Sequence, residues 1–235
     1  MSDVLSSTIK YASKQYPKLD DDELYDLLCN LNYQLQHRQP HSPMWFNYMG
    51  MQYPQDLISY QEILWKVKPT LVVETGTLGG GCTLFFAFIL DSMMRLGRIP
   101  DYRIVTIDIR PDLSLHPELM AHPRINFLNG NSVSPETVEK VKSHWKPGMV
   151  TAVFLDDGHS MDDVLAEMEA YGPLVSVGSY MVAEDTCFGY YLPVGNGPLH
   201  AVEEYLKRHG EWEIDRFPER WLCTQHPCGW LRRVS

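Results

Sequence analysis

Short apolar segments rich in β-branched residues alternate with longer helical segments from Thr70 to the end of the sequence. Strands are predicted at 71–74, 103–108, 125–128, 150–155, 180–184, 212–215 and 230–234, and helices between them at 79–97, 135–142, 161–171 and 199–208. Strands that alternate with helices form a parallel sheet with helices on both faces. No clear helix separates the last two strands, so a hairpin places one antiparallel strand near the C-terminus. The sequence therefore predicts an α/β fold with a Rossmann-like, mostly parallel sheet.

A helical extension is predicted ahead of this sheet. Leucines recur at steps of three and four residues between 20 and 38, which indicates an amphipathic helix. Residues 44–53 are predicted to be irregular, and a second helix is predicted at 55–66. We therefore expect residues 1–66 to form an N-terminal helical extension and residues 67–235 to form the main domain. The extension is expected to mediate self-association into a homo-oligomer, although its leucine stripe can equally pack only on its own core.

Charge and composition bear on partners and location. The sequence holds 20 lysines and arginines against 30 aspartates and glutamates, a net charge of −10, so a nucleic-acid partner is not expected. The first ten residues show no basic cluster followed by an apolar run, and the longest apolar stretch, 84–90, is too short to cross a bilayer. Five scattered cysteines are typical of reduced thiols. We therefore expect a cytoplasmic protein with no membrane partner.

Polar side chains follow five successive predicted strands, at the edge where an open parallel sheet binds its ligands. The groups, in chain order, are Glu74 with the glycine loop that begins at Gly76, then Asp108, then Asn131 and Ser132, then Asp156, Asp157 and His159, and finally Glu184 and Asp185. A single acid of this kind is ordinarily a solvated loop charge. Polar or acidic groups at five strand ends indicate instead a functional site.

The glycine loop separates two kinds of nucleoside cofactor. A dinucleotide-binding fingerprint reads G-x-G-x-x-G, with an acid about 20 residues further on. Here the spacing from Gly76 is G-x-x-G-G-G, and the acid, Glu74, precedes the glycines. An acid in that position suits a ligand with a positive charge and an amino group, and S-adenosylmethionine has both. Asp108 is placed to accept hydrogen bonds from ribose hydroxyls, although glycines at a strand-to-helix turn are also needed simply for the bend.

The acids after the fourth and fifth strands suggest a metal site. Asp156, Asp157, Glu184 and Asp185 would repel one another strongly if nothing neutralised them, because the two strands should be neighbours. A divalent cation is the simplest solution, and oxygen ligands favour Mg²⁺, Ca²⁺ or Mn²⁺ over zinc. The alternative is that one acid caps the next helix and another faces water.

Two histidines have competing interpretations. His159 can be a general base, a metal ligand or a helix-start residue bonded to backbone, and its position alone favours the last. A non-haem iron site needs two histidines and a carboxylate, and His159 with Glu184 supplies only one histidine. His226 lies in the spacing C-x₂-H-x-C, which is not a familiar set of zinc ligands.

Three separated segments carry a recognisable pattern in order. They are QYPQDLISYQE at 52–62, KPTLVVETG at 68–76 with glycines at 79–81, and FLDDGH at 154–159 with its continuation to Glu184, Asp185 and Thr186. Over roughly residues 44–190 this pattern resembles the cephalosporin hydroxylase family, and the resemblance is looser beyond. Despite its name, that family is similar to class I S-adenosylmethionine-dependent methyltransferases and includes rhamnosyl O-methyltransferases.

The resemblance implies a class I methyltransferase fold and a set of site residues. It implies that S-adenosylmethionine is held by Glu74, Gly76, Thr77, Gly80, Asp108, Asn131, Ser132 and Asp156. It implies that Mg²⁺, or another oxygen-preferring divalent cation, is held by Asp156, Asp157, Glu184 and Asp185, as acids hold Mg²⁺ in the similar core of catechol O-methyltransferase. His159 and Asp156 are then the catalytic candidates.

Two departures from the family pattern leave roles open. Many members read L-D-S-N-H where this chain reads L-D-D-G-H at 155–159, so either Asp156 or Asp157 can be the metal ligand. The catechol enzymes also use a lysine two residues after the first acid of this loop. Gly158 lies in that position here, so a base must come from elsewhere.

The expected function is methyl transfer from S-adenosylmethionine, with Mg²⁺, to a hydroxyl of a small specialised metabolite or sugar. The resemblance suggests bacterial secondary metabolism such as antibiotic biosynthesis. Residues 44–53 and 188–198 are expected to cover the site and select the acceptor. One alternative is an oxidoreductase or hydroxylase, as the family's name suggests, against which the missing fingerprint and iron site argue. Another is a non-methylating S-adenosylmethionine-binding protein, such as a cyclase or a partner subunit.

Overall fold

The computed structural model describes Lys10, Lys14 and the ranges 18–36, 44–45, 48–49, 52–110, 115–190, 195–221 and 223–235. In chain order its elements are α1 (Asp21–Gln36), β1 (Met44–Trp45), β2 (Tyr48–Met49), α2 (Pro54–Val67), β3 (Leu71–Thr75), α3 (Gly81–Arg95), β4 (Arg103–Asp108), α4 (Pro117–Ala121), β5 (Ile125–Asn129), α5 (Pro135–His144), β6 (Thr151–Leu155), α6 (Met161–Tyr171), β7 (Tyr180–Ala183), α7 (Cys187–Tyr190), α8 (Pro198–Leu206), β8 (Trp212–Ile214) and β9 (Trp230–Arg233). Short 3₁₀-helices lie at Gly172–Leu174 and Phe217–Trp221.

Seven of these strands form a sheet in the order β5-β4-β3-β6-β7-β9-β8. The pairs from β5 to β7 are parallel, and β9 is antiparallel to both β7 and β8. Every residue of β3, β6 and β7 is buried, as expected for parallel strands with helices on both faces. The predicted fold class is therefore confirmed: a Rossmann-like, mostly parallel sheet with one antiparallel strand near the C-terminus.

Alternate side chains of the strands point to opposite faces of the sheet and belong to two apolar cores, one on each face. Val72 and Phe154 pack with α2 and α3, and the rings of Phe86 and Phe154 lie 4.4 Å apart. Val73 and Val153 pack in the second core with α6 and α8. Full burial of each such side chain contributes about 1.5–3 kcal/mol to stability. These two cores hold the strand ends, and the loops that follow them, in fixed relative positions.

The order of the strands fixes where a ligand site can form. From β3 the chain proceeds outward to β4 and β5, and it then returns to the other side of β3 to build β6 and the strands beyond it. The carboxyl ends of β3 and β6 therefore flank the switch point of the sheet, which is the usual ligand crevice of open α/β sheets.

The structure corrects the prediction for residues 44–53. β1 and β2 form an antiparallel pair, with Met44 opposite Met49 and Trp45 opposite Tyr48, so the prediction of irregular structure is wrong there. The short helices α4 and α7 were also not predicted. Elements of two to five residues are too short to show a hydrophobic period, so their sequences carried no signal.

The N-terminal helices are present where the sequence predicts them. On α1, Leu24 and Cys29 are buried, whereas Leu27 and Leu31 are 36% and 51% exposed. On α2, Tyr60 and its apolar neighbours belong to the same core as the sheet. The division into residues 1–66 and 67–235, and self-association through the extension, stay predictions. Among the helices that the structure describes, none is long and apolar enough to cross a membrane.

Candidate active site at the carboxyl edge of the sheet

The glycine-rich turn after β3 lies directly against the end of β6. Gly76 has a φ of +84°, and a Cβ atom at this position would lie 1.8 Å from the backbone oxygen of Asp156. Gly80 has a φ of +87°, and its Cβ atom would lie 2.2 Å from Cδ1 of Leu119. Only glycine accepts both the left-handed backbone and the close approach. The glycines therefore meet a structural requirement, and they also bring the turn next to the acids that follow β6.

Glu74 is a buried carboxyl group beneath this turn, with 2% of its surface exposed. Its Oε2 accepts hydrogen bonds from the hydroxyl of Thr106, at 2.6 Å, and from that of Thr83. The hydroxyls of Thr77 and Thr106 are also hydrogen-bonded, at 2.6 Å. Burial raises the pKa of Glu74 to about 7, although these hydrogen bonds act in the opposite direction. Two predicted cofactor residues, Glu74 and Thr77, thus belong to one buried cluster of hydrogen-bonded side chains.

Asp108 ends β4 and is held in its ionised form. Its Oδ2 accepts the backbone N–H of Leu78 at 3.0 Å, and its Oδ1 accepts the backbone N–H of Arg110 at 2.9 Å. The Arg110 guanidinium donates to both carboxylate oxygens at 3.2 Å. Burial acts to raise the pKa of Asp108, but the hydrogen bonds from Arg110 and Leu78 outweigh it and hold that pKa below its ordinary value. A hydroxyl-bearing ligand at Asp108 would compete with Arg110 for the same oxygens.

A cleft of about 190 Å³ opens beside the end of β5. Its lining consists of Ile109, Asn131, Ser132, Val133, Asp157, Gly158, Asp163 and Glu167. Asn131 fixes the loop through its Oδ1, which accepts the backbone N–H of Val133 at 2.9 Å, and the Tyr171 hydroxyl donates to the backbone oxygen of Ser132. The structure therefore brings together three predicted site residues, Asn131, Ser132 and Asp157.

Glu167 on α6 is a cleft residue that sequence reasoning missed. It is 1% exposed, and its Oε2 accepts the Thr75 hydroxyl at 3.1 Å. Burial raises the pKa of Glu167 to about 8. The sequence does not distinguish Glu167 from the other acids of the same helix, such as Asp162 and Glu169, which are exposed.

Asp156, which is partly buried, and Glu184, which is fully buried, form a carboxyl pair at the ends of the neighbouring strands β6 and β7. The side-chain amide of Gln52 lies between them, and its Nε2 donates to Asp156 Oδ2 at 3.4 Å and to Glu184 Oε2. Burial raises the pKa of both carboxyls well above the ordinary range, and the charge of Asp185 raises them further. Glu184 also raises the pKa of Asp156. A cation bound between the two carboxyls would favour their ionised form.

The two aspartates after β6 lie in different environments. The charged neighbours of Asp156 are Glu184, Asp185 and Glu74. Asp157 instead lines the cleft together with Ser132, and burial raises its pKa. The structure thus separates two residues that the sequence treated as equivalent.

His159 lies beside the acid loop, which we define as the segment after β7 that carries Glu184 and Asp185. Its Nε2 is 3.6 Å from Oδ2 of Asp185, and its side chain is 48% exposed. Its ring lies 5.5 Å from the ring of Phe188. The start of α6 is capped by Ser160, whose Oγ accepts the backbone N–H of Asp163. The helix-start role considered for His159 therefore belongs to Ser160, and a functional role for His159 stays a prediction.

Three further residues of this site were missed from the sequence. His226 is fully buried, and its Nδ1 accepts the backbone N–H of Asp185 at 2.9 Å. Its Nε2 lies 2.7 Å from the Tyr60 hydroxyl and 3.1 Å from Oε1 of Gln52. Burial lowers the pKa of His226 to about 3, so the ring is neutral. The signal available was the position of Gln52 and Tyr60 in the first segment that carries the family resemblance.

The donor atoms of the acid pair are carboxyl oxygens, which are suitable ligands for a divalent cation such as Mg²⁺. Within the ranges that the structure describes, no three acid, histidine or cysteine side chains form a metal-ligand arrangement. The amide of Gln52 lies between Asp156 and Glu184, and Asp185 lies beside His159. Nevertheless, Asp156 and Glu184 with the adjacent Asp185 offer the all-oxygen donor set that Mg²⁺ prefers. The predicted four-residue set is not assembled here, and Asp157 is the member that lies apart.

The strand order, the glycine turn at the switch point and the acids at the strand ends define a class I methyltransferase fold. The apo structure of CmcI-N160 matches with a TM-score of 0.66 and 22% identity, covering 84% of this chain and 78% of that chain. The structure of CmcI-D160 with Mg and SAM matches with a TM-score of 0.64 and 21% identity, covering 84% and 79%. An O-methyltransferase from Bacillus cereus in complex with SAH matches with a TM-score of 0.52 and 14% identity, covering 88% of each chain. At these identities the similarity shows the fold.

Sequence comparison assigns the chain to a particular family within this class. The family model for rhamnosyl O-methyltransferase/CmcI matches residues 40–234. The rhamnosyl O-methyltransferase of Mycobacterium leprae (strain TN) is 35% identical over 181 residues, which is 73% of this chain and 74% of that protein. That of Mycobacterium tuberculosis (strain H37Rv) is 37% identical over 156 residues, 64% of this chain, and the match spans only 60% of that relative's length. The chain belongs to the rhamnosyl O-methyltransferase/CmcI family, which confirms the resemblance found in the sequence.

Proposed function

We propose that this protein transfers the methyl group of S-adenosylmethionine to a hydroxyl of a sugar or another small specialised metabolite, with a divalent cation such as Mg²⁺. The observation that carries the proposal is the carboxyl pair of Asp156 and Glu184, bridged by the Gln52 amide beside the Gly76 turn, at the switch point of the sheet. This arrangement suits a reaction in which an oxygen nucleophile is activated next to a bound cofactor. Family membership supports it, as does the presence of Mg and SAM in a CmcI structure of the same fold.

The residues around the turn and the cleft would hold the cofactor, which supplies an electrophilic methyl group on its sulfonium. Glu74 binds both threonine hydroxyls through Oε2, so its other oxygen would accept a hydrogen bond from the cofactor's ammonium group. The ionised Asp108 would accept the ribose hydroxyls in place of Arg110. Asn131 and Ser132 would hold the adenine ring of the cofactor in the cleft.

The residues on the other side of the switch point would hold the cation and receive the proton. Asp156, Glu184 and Asp185 would be the cation ligands, and Asp157 would not, because it lies in the cleft. The cation would supply Lewis-acid activation that lowers the pKa of the acceptor hydroxyl. His159 would accept that proton, and its exposed ring would pass it to solvent.

The acceptor class follows from the relatives and from the open side of the site. The curated relatives are rhamnosyl O-methyltransferases, so a rhamnosyl hydroxyl is the first acceptor we propose. Phe188 beside His159 offers an aromatic face, which packs well against an organic substrate. Of the segments expected to cover the site, residues 46–47, 50–51 and 191–194 lie outside the described part of the chain.

The test is a thermal-shift titration with S-adenosylmethionine, S-adenosylhomocysteine and NADH, each with Mg²⁺ and with EDTA. A ligand at about 100 times its dissociation constant stabilises the folded state by about 2.7 kcal/mol, which is a shift of several degrees for a domain of this size. We expect a shift with the two adenosyl ligands alone, and a further effect of Mg²⁺. A shift with NADH alone would favour the oxidoreductase. Binding without methyl transfer to any acceptor would favour the non-methylating alternative.

A further inference from the structure

The segment from Cys223 to Gly229, which we call the tail loop, is clamped between α2 and the acid loop after β7. On the α2 side, Asp56 accepts hydrogen bonds from the Thr224 hydroxyl at 2.6 Å and from the backbone N–H of Gln225 at 2.9 Å. On the other side, the Thr186 hydroxyl donates to the backbone oxygen of Pro227 at 2.7 Å. The tail loop therefore connects the start of α2 rigidly to the loop that carries Glu184 and Asp185.

His226 at the centre of the tail loop has a defined tautomer. A backbone N–H group can only donate, so the 2.9 Å bond from Asp185 N requires that Nδ1 of His226 carries no proton. The proton of the neutral ring must then be on Nε2. This atom is within hydrogen-bonding distance of Oε1 of Gln52 and of the Tyr60 hydroxyl, and Oε2 of Glu184 lies 3.8 Å from it.

The tautomer of His226 sets the direction of every following hydrogen bond. Nε2–H donates to Oε1 of Gln52, which turns the NH₂ group of that amide towards Glu184 and Asp156. The Tyr60 hydroxyl shares the single Nε2 proton as a second acceptor, and it acts to lower the pKa of the Glu184 carboxyl, as a donor to that carboxyl would. The Gln52 amide therefore carries the effect of His226 to the acid pair.

The same histidine stabilises an unusual backbone conformation. Asp185 has a φ of +53°, a left-handed conformation that is unfavourable for a residue with a side chain. Its backbone N–H is held in that conformation by Nδ1 of His226. The conformation sets where the Asp185 carboxylate lies relative to Glu184 and His159.

We propose that His226 is a positioning residue for the divalent-cation site, which fixes the backbone turn at Asp185 and, through Gln52 and Tyr60, the orientation of the Glu184 carboxylate. This inference rests on the proposed function, because it requires these acids to bind a cation. Outer-shell partners of this kind ordinarily change metal affinity by about 10–100-fold when they are removed. A buried histidine that only fills the core would leave cation affinity unchanged.

The experiment measures Mn²⁺ binding by electron paramagnetic resonance and S-adenosylhomocysteine binding by calorimetry, on the full chain. The variants are His226→Leu, which removes both ring nitrogens, and His226→Asn, whose amide oxygen can still accept the Asp185 N–H. Tyr60→Phe removes one hydroxyl next to Glu184. Its matched control is Tyr102→Phe, a similarly buried tyrosine whose hydroxyl is hydrogen-bonded to Asp91 Oδ1 at 2.8 Å and to the Ala87 backbone oxygen at 3.1 Å, away from the acid pair.

We expect Mn²⁺ affinity to fall by about 10–100-fold in His226→Leu and to recover in part in His226→Asn, because the acceptor for Asp185 returns. Tyr60→Phe should lose affinity and Tyr102→Phe should not, while S-adenosylhomocysteine binds all four equally. Wild-type Mn²⁺ affinity in both His226→Leu and Tyr60→Phe would overturn the role of His226 but would leave the proposed cation site standing. If His226→Leu does not fold, Tyr60→Phe decides, since it keeps the histidine. A wild-type protein that binds no Mn²⁺ would overturn the proposed cation role itself.

Discussion

Replacement of Glu167 by glutamine should stabilise the protein at alkaline pH and change its stability little in acid. The side chain is 1% exposed, and burial raises its pKa from an ordinary value of 4.5 to about 8. Below pH 4.5 the carboxyl is protonated in both the folded and the unfolded chain, so no penalty exists. Between the two pKa values the unfolded chain ionises while the folded protein retains the proton. Stability is therefore lost as the pH rises through this window.

The size of this effect follows from the width of the window. Each pH unit between the unfolded and the folded pKa lowers the free energy of unfolding by about 1.4 kcal/mol. From 4.5 to about 8 the loss amounts to roughly 5 kcal/mol, an upper limit that any local opening around Glu167 would reduce. Glutamine has a similar shape, can still bond the Thr75 hydroxyl, and does not ionise. The variant should therefore escape the loss.

The assay is urea unfolding of the wild-type and Glu167→Gln proteins at about pH 5 and about pH 9, with stabilities from linear extrapolation. The stability difference between them should grow by several kcal/mol in favour of the variant at the higher pH. Glu169→Gln, two residues along the same helix and partly exposed, is the control and should track the wild type. A difference that is the same at both pH values would refute the reasoning about burial.

Three further predictions concern the turn, the acid pair and the tail loop. Gly76→Ala should destabilise the protein in urea far more than Gly148→Ala, because both have left-handed backbones but only the first meets an atom within 4 Å; equal losses would contradict the close contact. Glu184→Ala should abolish cation-dependent methyl transfer with cofactor affinity retained, whereas replacement of the exposed Glu136 by alanine should not; unchanged turnover in Glu184→Ala would exclude the cation role. Asp56→Ala should lower the free energy of unfolding by about 1–3 kcal/mol for each of the two tail-loop donors that lose their acceptor, the Thr224 hydroxyl and the Gln225 N–H. Thermal unfolding measures this loss, and a wild-type melting temperature would contradict the clamp.

The sheet was predictable because its strands are continuous apolar runs with clear limits. β4 and α6 have the predicted bounds, 103–108 and 161–171, since the first is a β-branched run and the second follows a capping serine. The meeting of Glu74 with the acids after β6 and β7 was also predictable, because carboxyl ends of parallel strands share one edge of a sheet. Sequence order and strand direction were sufficient for these features.

Other features of the site depend on distances that a sequence does not contain. Asp156 and Asp157 are adjacent in the chain, yet only the backbone path after β6 sends one to Glu184 and the other to the cleft. Gln52 and His226 are 174 positions apart, and their contact requires α2 and the tail loop to dock together. The role of His226 was hidden for this reason, because its local spacing with two cysteines matched no familiar site.

The central claim is methyl transfer to a hydroxyl, and the most direct measurement is mass spectrometry of acceptors incubated with the protein and isotopically labelled S-adenosylmethionine. A panel of rhamnosyl glycosides and other hydroxylated metabolites should include one that gains a single labelled methyl group on oxygen. That product should form with Mg²⁺ and disappear with EDTA. Binding of the labelled cofactor with no labelled product from any acceptor, or labelling at carbon or nitrogen instead of oxygen, would contradict the account.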